Sequence, residues 1–312
     1  MDTNLVQMFE KFNSEDRCRE YLELVRWPSG VRCLRCGNAS VSKIETRHQY
    51  ECNGCGYQFS VTAGTVFHDS HLPLWKWFLA AYLICESKKG MSANQIKRTL
   101  GISYKTAWYL CHRIREAMKV EHTEKLNGIV EADETFVGGR YNERTGRGRR
   151  EKPCVLGVIQ RKGPVRAKSI PFRSTHFIST FVKASVEPGS QLMTDEYKAY
   201  EKVGRLYDHN TISHAKLQYV VGLTHTNSIE NFWSLFKRGV VGQFHKVSAK
   251  HLDRYLDEFT YRFNGREDDK LFQNTLRNLV NGKTLTFEKL TKTDQRIESV
   301  SINQAAPGSP NS

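Results

Sequence analysis

Three acidic residues lie in separate segments of the chain: Asp133 in "EADETFVGG", Asp195 in "QLMTDEY" and Glu230 in "SIENFWSLFKRG". Each of them taken singly is easily explained as a solvated acid at the end of a strand or helix. Taken jointly, two strand carboxylates and one helix carboxylate can converge at the edge of a sheet. Phosphodiester chemistry uses such groups, because two Mg²⁺ (or Mn²⁺) ions held by carboxylates activate the attacking oxygen and stabilise the leaving one. We therefore predict that these three acids are catalytic Mg²⁺ ligands.

Glu230 also has a purely structural interpretation. Asn227 precedes it by three positions, which is the spacing of a pair that closes the first turn of a helix. The apolar residues that follow recur at helical spacing and place Glu230 and Lys237 on one polar face, two turns apart. Lys237 could hold a phosphate beside the metal ions, or could be a solvated lysine. We expect Glu230 to turn away from the Asn227 amide and towards the two aspartates.

Four cysteines form two Cys-x-x-Cys-Gly turns, with fifteen residues between the second and third: Cys33, Cys36, Cys52 and Cys55. Two thiolates from each of two tight turns suit a tetrahedral Zn²⁺ ion, and the glycines let the backbone bend around the sulfurs. Since all four positions are occupied, we predict a structural zinc ion. The alternative is a redox pair or a chance placement of four thiols. The other four cysteines are interpreted as small buried apolar residues.

A helix-turn-helix is predicted after the cysteines. Ser92 can begin a helix, Gly101 can make a turn, and a second helix can follow. Such motifs place the amino-terminal residues of the second helix against DNA bases, whereas an ordinary helical hairpin is the alternative. The residues predicted to be available to DNA are Ser103, Tyr104, Lys105, Arg113 and Arg115.

The segment "RYNERTGRGRREK", residues 140 to 152, has six basic residues against two acidic ones. It could follow a DNA backbone or be a solvated insertion. The arginines predicted to contact DNA are Arg147, Arg149 and Arg150.

The whole chain has 312 residues and a formal net charge of +14, which favours binding to a polyanion. Its hydrophobic fraction of 39% is enough for a buried core. No segment approaches the roughly 18 to 20 apolar residues of a membrane helix, and the amino terminus lacks the pattern of a signal peptide. We expect a cytoplasmic protein with no membrane partner.

The order of elements predicts an α/β domain, because three strand-like segments are followed by a helix, a strand and a later helix. The predicted division of the chain is 1–62 for amino-terminal helices and the four-cysteine zinc ribbon, 63–125 for the helix-turn-helix region, 126–275 for the catalytic domain, and 276–312 for a carboxy-terminal tail that is partly disordered.

Several long segments of this sequence resemble those of the transposases of the IS1595 insertion-sequence group, of the ISXO2-like type. They are the Cys-x-x-Cys-Gly pair, "ADETFVGG", "TDEYKAY" and "HTNSIENFWSLFKRGVVGQFHKVSAKHLDRYLDEFTYRFN". The resemblance implies an RNase H-like catalytic domain, a mixed sheet with flanking helices, preceded by DNA-binding elements. It also implies a DDE-type metal site formed by Asp133, Asp195 and Glu230, with Lys237 matching the family's following lysine.

The activity that the resemblance implies is hydrolysis at the 3′ ends of a transposon, followed by attack of the freed 3′-OH on target DNA. The expected partners are transposon-end and target DNA, bound by a homo-oligomer. Two other functions are compatible with the sequence. One is a DNA-binding regulator with an inactive α/β domain, and the other is a structure-specific nuclease that cuts without joining.

Overall fold

A computed structural model describes residues 4–138, 153–212 and 225–292. The predicted DNA contacts Arg147, Arg149 and Arg150 lie outside the described residues. None of the helices in the described ranges is both long enough and apolar enough to cross a membrane.

The helices are α1 (Leu5–Lys11), α2 (Glu15–Arg26), α3 (Leu74–Glu86), α4 (Ala93–Leu100), α5 (Tyr104–Ala117), α6 (Thr175–Ser185), α7 (Glu201–Gly204), α8 (Asn227–Gly239), α9 (Leu252–Asn264), α10 (Leu271–Asn281) and α11 (Phe287–Thr291). The strands are β1 (Val41–Ile44), β2 (Gln49–Cys52), β3 (Gln58–Phe59), β4 (Ile129–Phe136), β5 (Cys154–Gln160), β6 (Val165–Ile170), β7 (Gln191–Asp195) and β8 (Asp208–Ile212).

Five strands form a mixed sheet in the order β6-β5-β4-β7-β8. Strands β4, β5 and β6 are antiparallel neighbours, whereas β7 runs parallel to both β4 and β8. One face packs against α6 and α7, and the other packs against α8 and α9. Because both faces are covered, β5 is almost wholly buried and its sequence "CVLGVIQ" is continuously apolar up to its last residue. The predicted α/β class with flanking helices is confirmed.

A second, smaller sheet precedes the helical part of the chain. Its antiparallel strands are ordered β1-β2-β3 and surround a small core in which Trp27, Tyr50 and Phe59 meet at ring-centroid distances of 5.7 to 6.0 Å. Aromatic rings contribute much of the apolar area in a module that is too small for a large core.

The predicted tail boundary at residue 276 is wrong. Helix α10 spans this boundary and buries one apolar stripe, Phe272, Leu276, Leu279 and Val280, in the core formed by α2, α3 and α5. Helix α11 then follows, and the Tyr109 hydroxyl donates to the Leu285 carbonyl at 2.5 Å. Short amphipathic helices near the end of a chain are easily taken for a tail when the residues they pack against lie far away in sequence. Thr275 of α10, for example, contacts Cys85 of α3 at 3.2 Å, although the two residues are 190 positions apart.

A buried ion pair joins the helical region to the α/β domain through α9. The Glu258 side chain is fully buried, and its carboxylate accepts from Arg115 Nε at 2.7 Å and from Arg262 Nη2 at 3.0 Å. The Arg115 guanidinium also lies 4.0 Å from the centroid of the Tyr255 ring. The prediction that Arg115 is available to DNA is therefore wrong, because its charge is used inside the protein.

The variant Glu258→Gln should lower the free energy of unfolding by about 3 kcal/mol, because two buried guanidinium groups lose their only buried counter-charge among the described residues. Urea denaturation followed by circular dichroism measures this difference. The matched control is Glu267→Gln, since the Glu267 side chain is 86% exposed; it should change stability by less than about 0.5 kcal/mol. Equal stability of the two variants would contradict the role given to Glu258.

Candidate active site and metal centre

The register of two parallel strands brings Asp133 and Asp195 together. Ile129 lies opposite Gln191 and Glu131 opposite Met193, and Asp133 and Asp195 each come two residues after this last facing pair. Because side chains alternate along a strand, both aspartates point to the face that α8 and α9 cover. The two predicted strand ligands therefore lie on the same face of the sheet, just beyond the paired part of β4 and β7.

A glycine allows α8 to lie close to this edge. Gly157 of β5 is the cross-strand partner of Asp133. A Cβ at this position would lie 2.5 Å from Trp233 Cζ2 and 2.9 Å from Ile229 Cδ1. Any larger residue would therefore push α8 away from the sheet, and the glycine permits the close packing that brings Glu230 towards the aspartates.

Glu230 is not held by Asn227. Helix α8 begins at Asn227, and the N-cap residue is Thr226. The Thr226 hydroxyl donates to Glu230 Oε1 at 2.9 Å instead of capping the backbone. The predicted capping pair of Asn227 and Glu230 is thus wrong, and a neighbouring threonine orients the glutamate carboxylate.

The negative charges at the site affect one another. The pKa of Asp133 is raised to about 7, first by burial and then by the charge of Glu134; Asp195 and Glu230 raise it further, while a backbone hydrogen bond opposes the shift. The carboxylates thus lie near enough to repel one another. A bound divalent cation would remove this repulsion, so the electrostatics of the site fit a metal centre.

The three acids do not form a compact group of possible ligands like that of the four cysteines. Among the residues that the structure describes, the four cysteines are the only group of three or more possible ligands whose donor atoms all lie within 4.8 Å of one another. Asp133, Asp195 and Glu230 do not form such a group, so their binding of a metal ion stays a prediction.

Two further features bear on the predicted site. Asp195 Oδ1 accepts the Tyr197 amide at 3.0 Å, so this aspartate also closes a turn. A carboxylate has two oxygens, and the turn does not exclude a metal ligand. Lys237 is exposed two turns after Glu230 on the same side of α8, and its contact with phosphate stays a prediction.

Sequence reasoning missed Glu131, whose side chain is fully buried on the same face as Asp133. Its carboxylate accepts from the Ser228 and Ile229 amides at the start of α8, at 2.8 and 3.1 Å. The signal was a second acid, two residues before Asp133, on the same face of a predicted strand. Its partners could not be read from the sequence, because they lie almost 100 residues later.

The four cysteines form the predicted zinc site. The Sγ atoms of Cys33 and Cys55 lie 3.6 Å apart, and those of Cys36 and Cys52 lie 3.5 Å apart. The two glycines after the second cysteine of each turn have positive φ angles, +74° and +64°, a conformation that glycine adopts without strain. Four thiolates occupy every position of a tetrahedral ion, so the zinc is structural.

Two helices joined by a turn lie where the helix-turn-helix was predicted, and one of its predicted DNA contacts needs correction. Helices α4 and α5 are joined at Gly101, which has a φ of +61°, and the Ser103 hydroxyl accepts the Thr106 amide at 3.1 Å. Tyr104 and Lys105 are exposed at the start of α5. Arg113, however, is only 2% exposed and donates to the His68 carbonyl at 2.6 Å.

The prediction that Arg113 contacts DNA is therefore wrong. Its guanidinium lies 4.9 and 5.1 Å from the ring centroids of Trp77 and Tyr109, where it stabilises the helical core. A helical arginine of this kind cannot be told from an exposed one by spacing alone.

Comparisons with known proteins agree with this geometry. Residues 125–264 match the ISXO2-like transposase domain, and residues 13–58 match the transposase zinc-ribbon domain of the same group. The chain belongs to the IS1595 family of transposases. The two matched ranges contain the three acids and the four cysteines, so the predicted resemblance is confirmed.

Two relatives are also transposon proteins. One, described as an uncharacterized protein in transposable element ISH50 of Halobacterium salinarum, is 28% identical over 80% of this chain and 91% of the relative. An uncharacterized transposase-like protein of Haemophilus influenzae is 29% identical over 28% of this chain and 69% of that protein. A match to a chain in the crystal structure of the Mos1 strand transfer complex covers 65% of this chain and 74% of the matched chain, at 11% sequence identity. Its TM-score of 0.25 is too low to support a conclusion about the fold.

The purified protein should contain one zinc ion per chain, and Cys52→Ser should abolish it, because three thiolates and a hydroxyl hold zinc far more weakly than four thiolates. Metal analysis by mass spectrometry measures the content. The matched control is Cys111→Ala, which removes a buried cysteine of α5 and should keep the zinc. Full zinc content in Cys52→Ser would contradict the assignment.

Proposed function

We propose that this transposase binds the ends of its insertion sequence and catalyses metal-dependent 3′-end cleavage, followed by strand transfer into target DNA. The observation that supports this proposal is that Asp133 and Asp195 lie on the sheet face covered by α8, the helix that carries Glu230, where burial and the neighbouring negative charges raise the pKa of Asp133 to about 7. The mixed sheet carries Asp133 and Asp195 on its strands, and the helix packed on it, α8, carries Glu230. This arrangement supports an RNase H-like domain of the DDE type.

The three acids would hold two Mg²⁺ or Mn²⁺ ions, which supply Lewis-acid activation of the attacking oxygen and stabilise the leaving oxygen. The side chains themselves bind and orient the reactants. Lys237 lies on the same side of α8 as Glu230 and would contact a phosphate oxygen with its ammonium group. The same residues serve both steps, since cleavage and joining are both in-line displacements at phosphorus.

DNA contacts are proposed for the exposed start of α5, namely Ser103, Tyr104 and Lys105. They are supported by the geometry of the motif and by the net charge of +14. The zinc ribbon is proposed to bind the same transposon-end DNA. An element has two ends and each chain has one set of three acids, so a homo-oligomer is proposed to act on both ends together.

Replacing any one of the three acids by its amide, as in Asp133→Asn, Asp195→Asn and Glu230→Gln, should lower strand transfer by roughly 10³-fold or more, because metal-borne stabilisation is worth several kcal/mol. DNA binding should be retained. The assay uses pre-cut insertion-sequence ends and a target plasmid and measures joined product.

The matched control is Glu196→Gln, since Glu196 is an exposed neighbour of Asp195. Cleavage of uncut ends without any joined product from the wild type would favour a structure-specific nuclease. Undiminished joining by all three amide variants would show that the chemistry lies elsewhere, and binding without either reaction would favour a regulator.

Lys105→Ala should weaken binding to end DNA and reduce the slope of log K against log [salt] by about 1, because one phosphate contact and its released counterion are lost. Fluorescence anisotropy across a salt series measures the slope. Lys202→Ala removes an exposed lysine on α7, on the opposite face of the sheet from the acids, and should leave the slope unchanged. Identical slopes for the two variants would rule out α5 as a phosphate contact.

A further inference from the structure

We propose that Glu131 and Glu134, which flank Asp133 in β4, are positioning residues that each anchor the segment carrying one of the other two acids. This inference rests on the proposed function, because the acids matter as a set only if they bind metal ions together. Both glutamates are buried, with side chains 0% and 2% exposed, so neither can contact DNA directly.

Glu131 anchors the start of α8. Its Oε2 accepts the Ser228 and Ile229 amides, and its Oε1 accepts the Ser228 hydroxyl at 3.0 Å. Arg161 Nε donates to the same carboxylate at 2.8 Å and, through Nη2, to the His225 carbonyl at 2.9 Å. Both the first turn of α8 and the chain just before the helix are therefore tied to β4.

This anchor replaces the usual helix cap. The N-cap residue Thr226 makes no side-chain bond to the backbone, and its hydroxyl donates to Glu230 instead. A carboxylate at a helix amino terminus satisfies unpaired amides and interacts favourably with the helix dipole. Since Glu131 lies two residues before Asp133, the same strand sets the distance between Asp133 and Glu230.

Glu134 anchors the segment after Asp195 on the opposite face of the sheet. It accepts the Tyr200 hydroxyl at 2.8 Å through Oε2 and Arg173 Nη1 at 2.8 Å through Oε1. Tyr200 is 1% exposed, so its hydroxyl needs a buried partner, and Glu134 supplies one.

The segment from Asp195 to Tyr200 transmits this anchor to the metal site. The Tyr200 amide donates to the Tyr197 carbonyl at 3.0 Å, and the Tyr197 amide donates to Asp195 Oδ1 at 3.0 Å. The Arg173 guanidinium lies 3.6 Å from the Tyr197 ring centroid while it pairs with Glu134. One buried carboxylate thus holds the turn that follows Asp195, through Tyr200 directly and through Arg173 at Tyr197.

The two anchors act on different elements, which makes the inference testable. In Glu131→Gln, an amide group replaces the carboxylate that accepts three hydrogen bonds from the start of α8 and one from Arg161. Hydrogen–deuterium exchange should then be faster in residues 225–232 and unchanged in residues 195–203. Glu134→Gln should give the converse pattern. A general loss of stability would speed exchange in both segments.

The functional readout is binding of Mn²⁺ alone to the zinc-loaded protein, measured by the loss of the free Mn²⁺ signal in electron paramagnetic resonance. Each glutamine variant should weaken the Asp133-dependent binding at least roughly tenfold while leaving the affinity for end DNA within about twofold, because the acids are displaced and the DNA-binding elements are not. The matched control is Glu258→Gln, which breaks a buried ion pair away from the site and should keep Mn²⁺ affinity near that of the wild type.

Unchanged Mn²⁺ affinity in both glutamine variants would overturn the inference. So would an equal loss in Glu258→Gln, because the effect would then come from stability alone. If wild type and Asp133→Asn bind Mn²⁺ equally, the proposed function fails and the inference fails with it. That result is recognisable because it appears before any anchoring glutamate is changed.

Discussion

The close packing of α8 on the sheet is the contact on which the site depends. Glu230 can join two strand aspartates only if its helix lies directly against the strands, and Gly157 supplies the space by having no Cβ in front of Trp233 and Ile229. The helix also needs a fixed position along the strand, which hydrogen bonds to the buried Glu131 carboxylate set. Packing thus fixes the height of α8 above the sheet, and the carboxylate fixes where it begins.

Crowded carboxylates are costly, and the surrounding structure holds them together. Burial and neighbouring acids raise the pKa of Asp133 to about 7, so the charged form of this carboxyl group is disfavoured where it lies. The guanidinium groups of Arg161 and Arg173 pair with the two flanking glutamates, Glu131 and Glu134. These arginines pair with two buried glutamates that are not among the three proposed ligands.

Helix α9 connects this site to the rest of the molecule. Its apolar side packs on the sheet with α8, and its buried Glu258 meets Arg115 of α5. Helix α5 begins with the exposed residues of the predicted helix-turn-helix, so the element proposed to bind DNA is joined to the five-stranded sheet through a buried ion pair. Helix α10 completes the same helical core from the far end of the chain.

The sequence by itself determined the local chemistry. Paired Cys-x-x-Cys-Gly turns specify a zinc site because ligand spacing is short-range. Strand alternation and the family motifs select Asp133, Asp195 and Glu230 as the proposed metal ligands. Tertiary structure alone decided the rest, since spacing does not reveal burial or distant partners. It showed that Arg113 serves the core, that α10 is no tail, and that Glu131 holds a helix nearly 100 residues away. Contacts between residues so far apart depend on how the layers pack, and no local pattern encodes them.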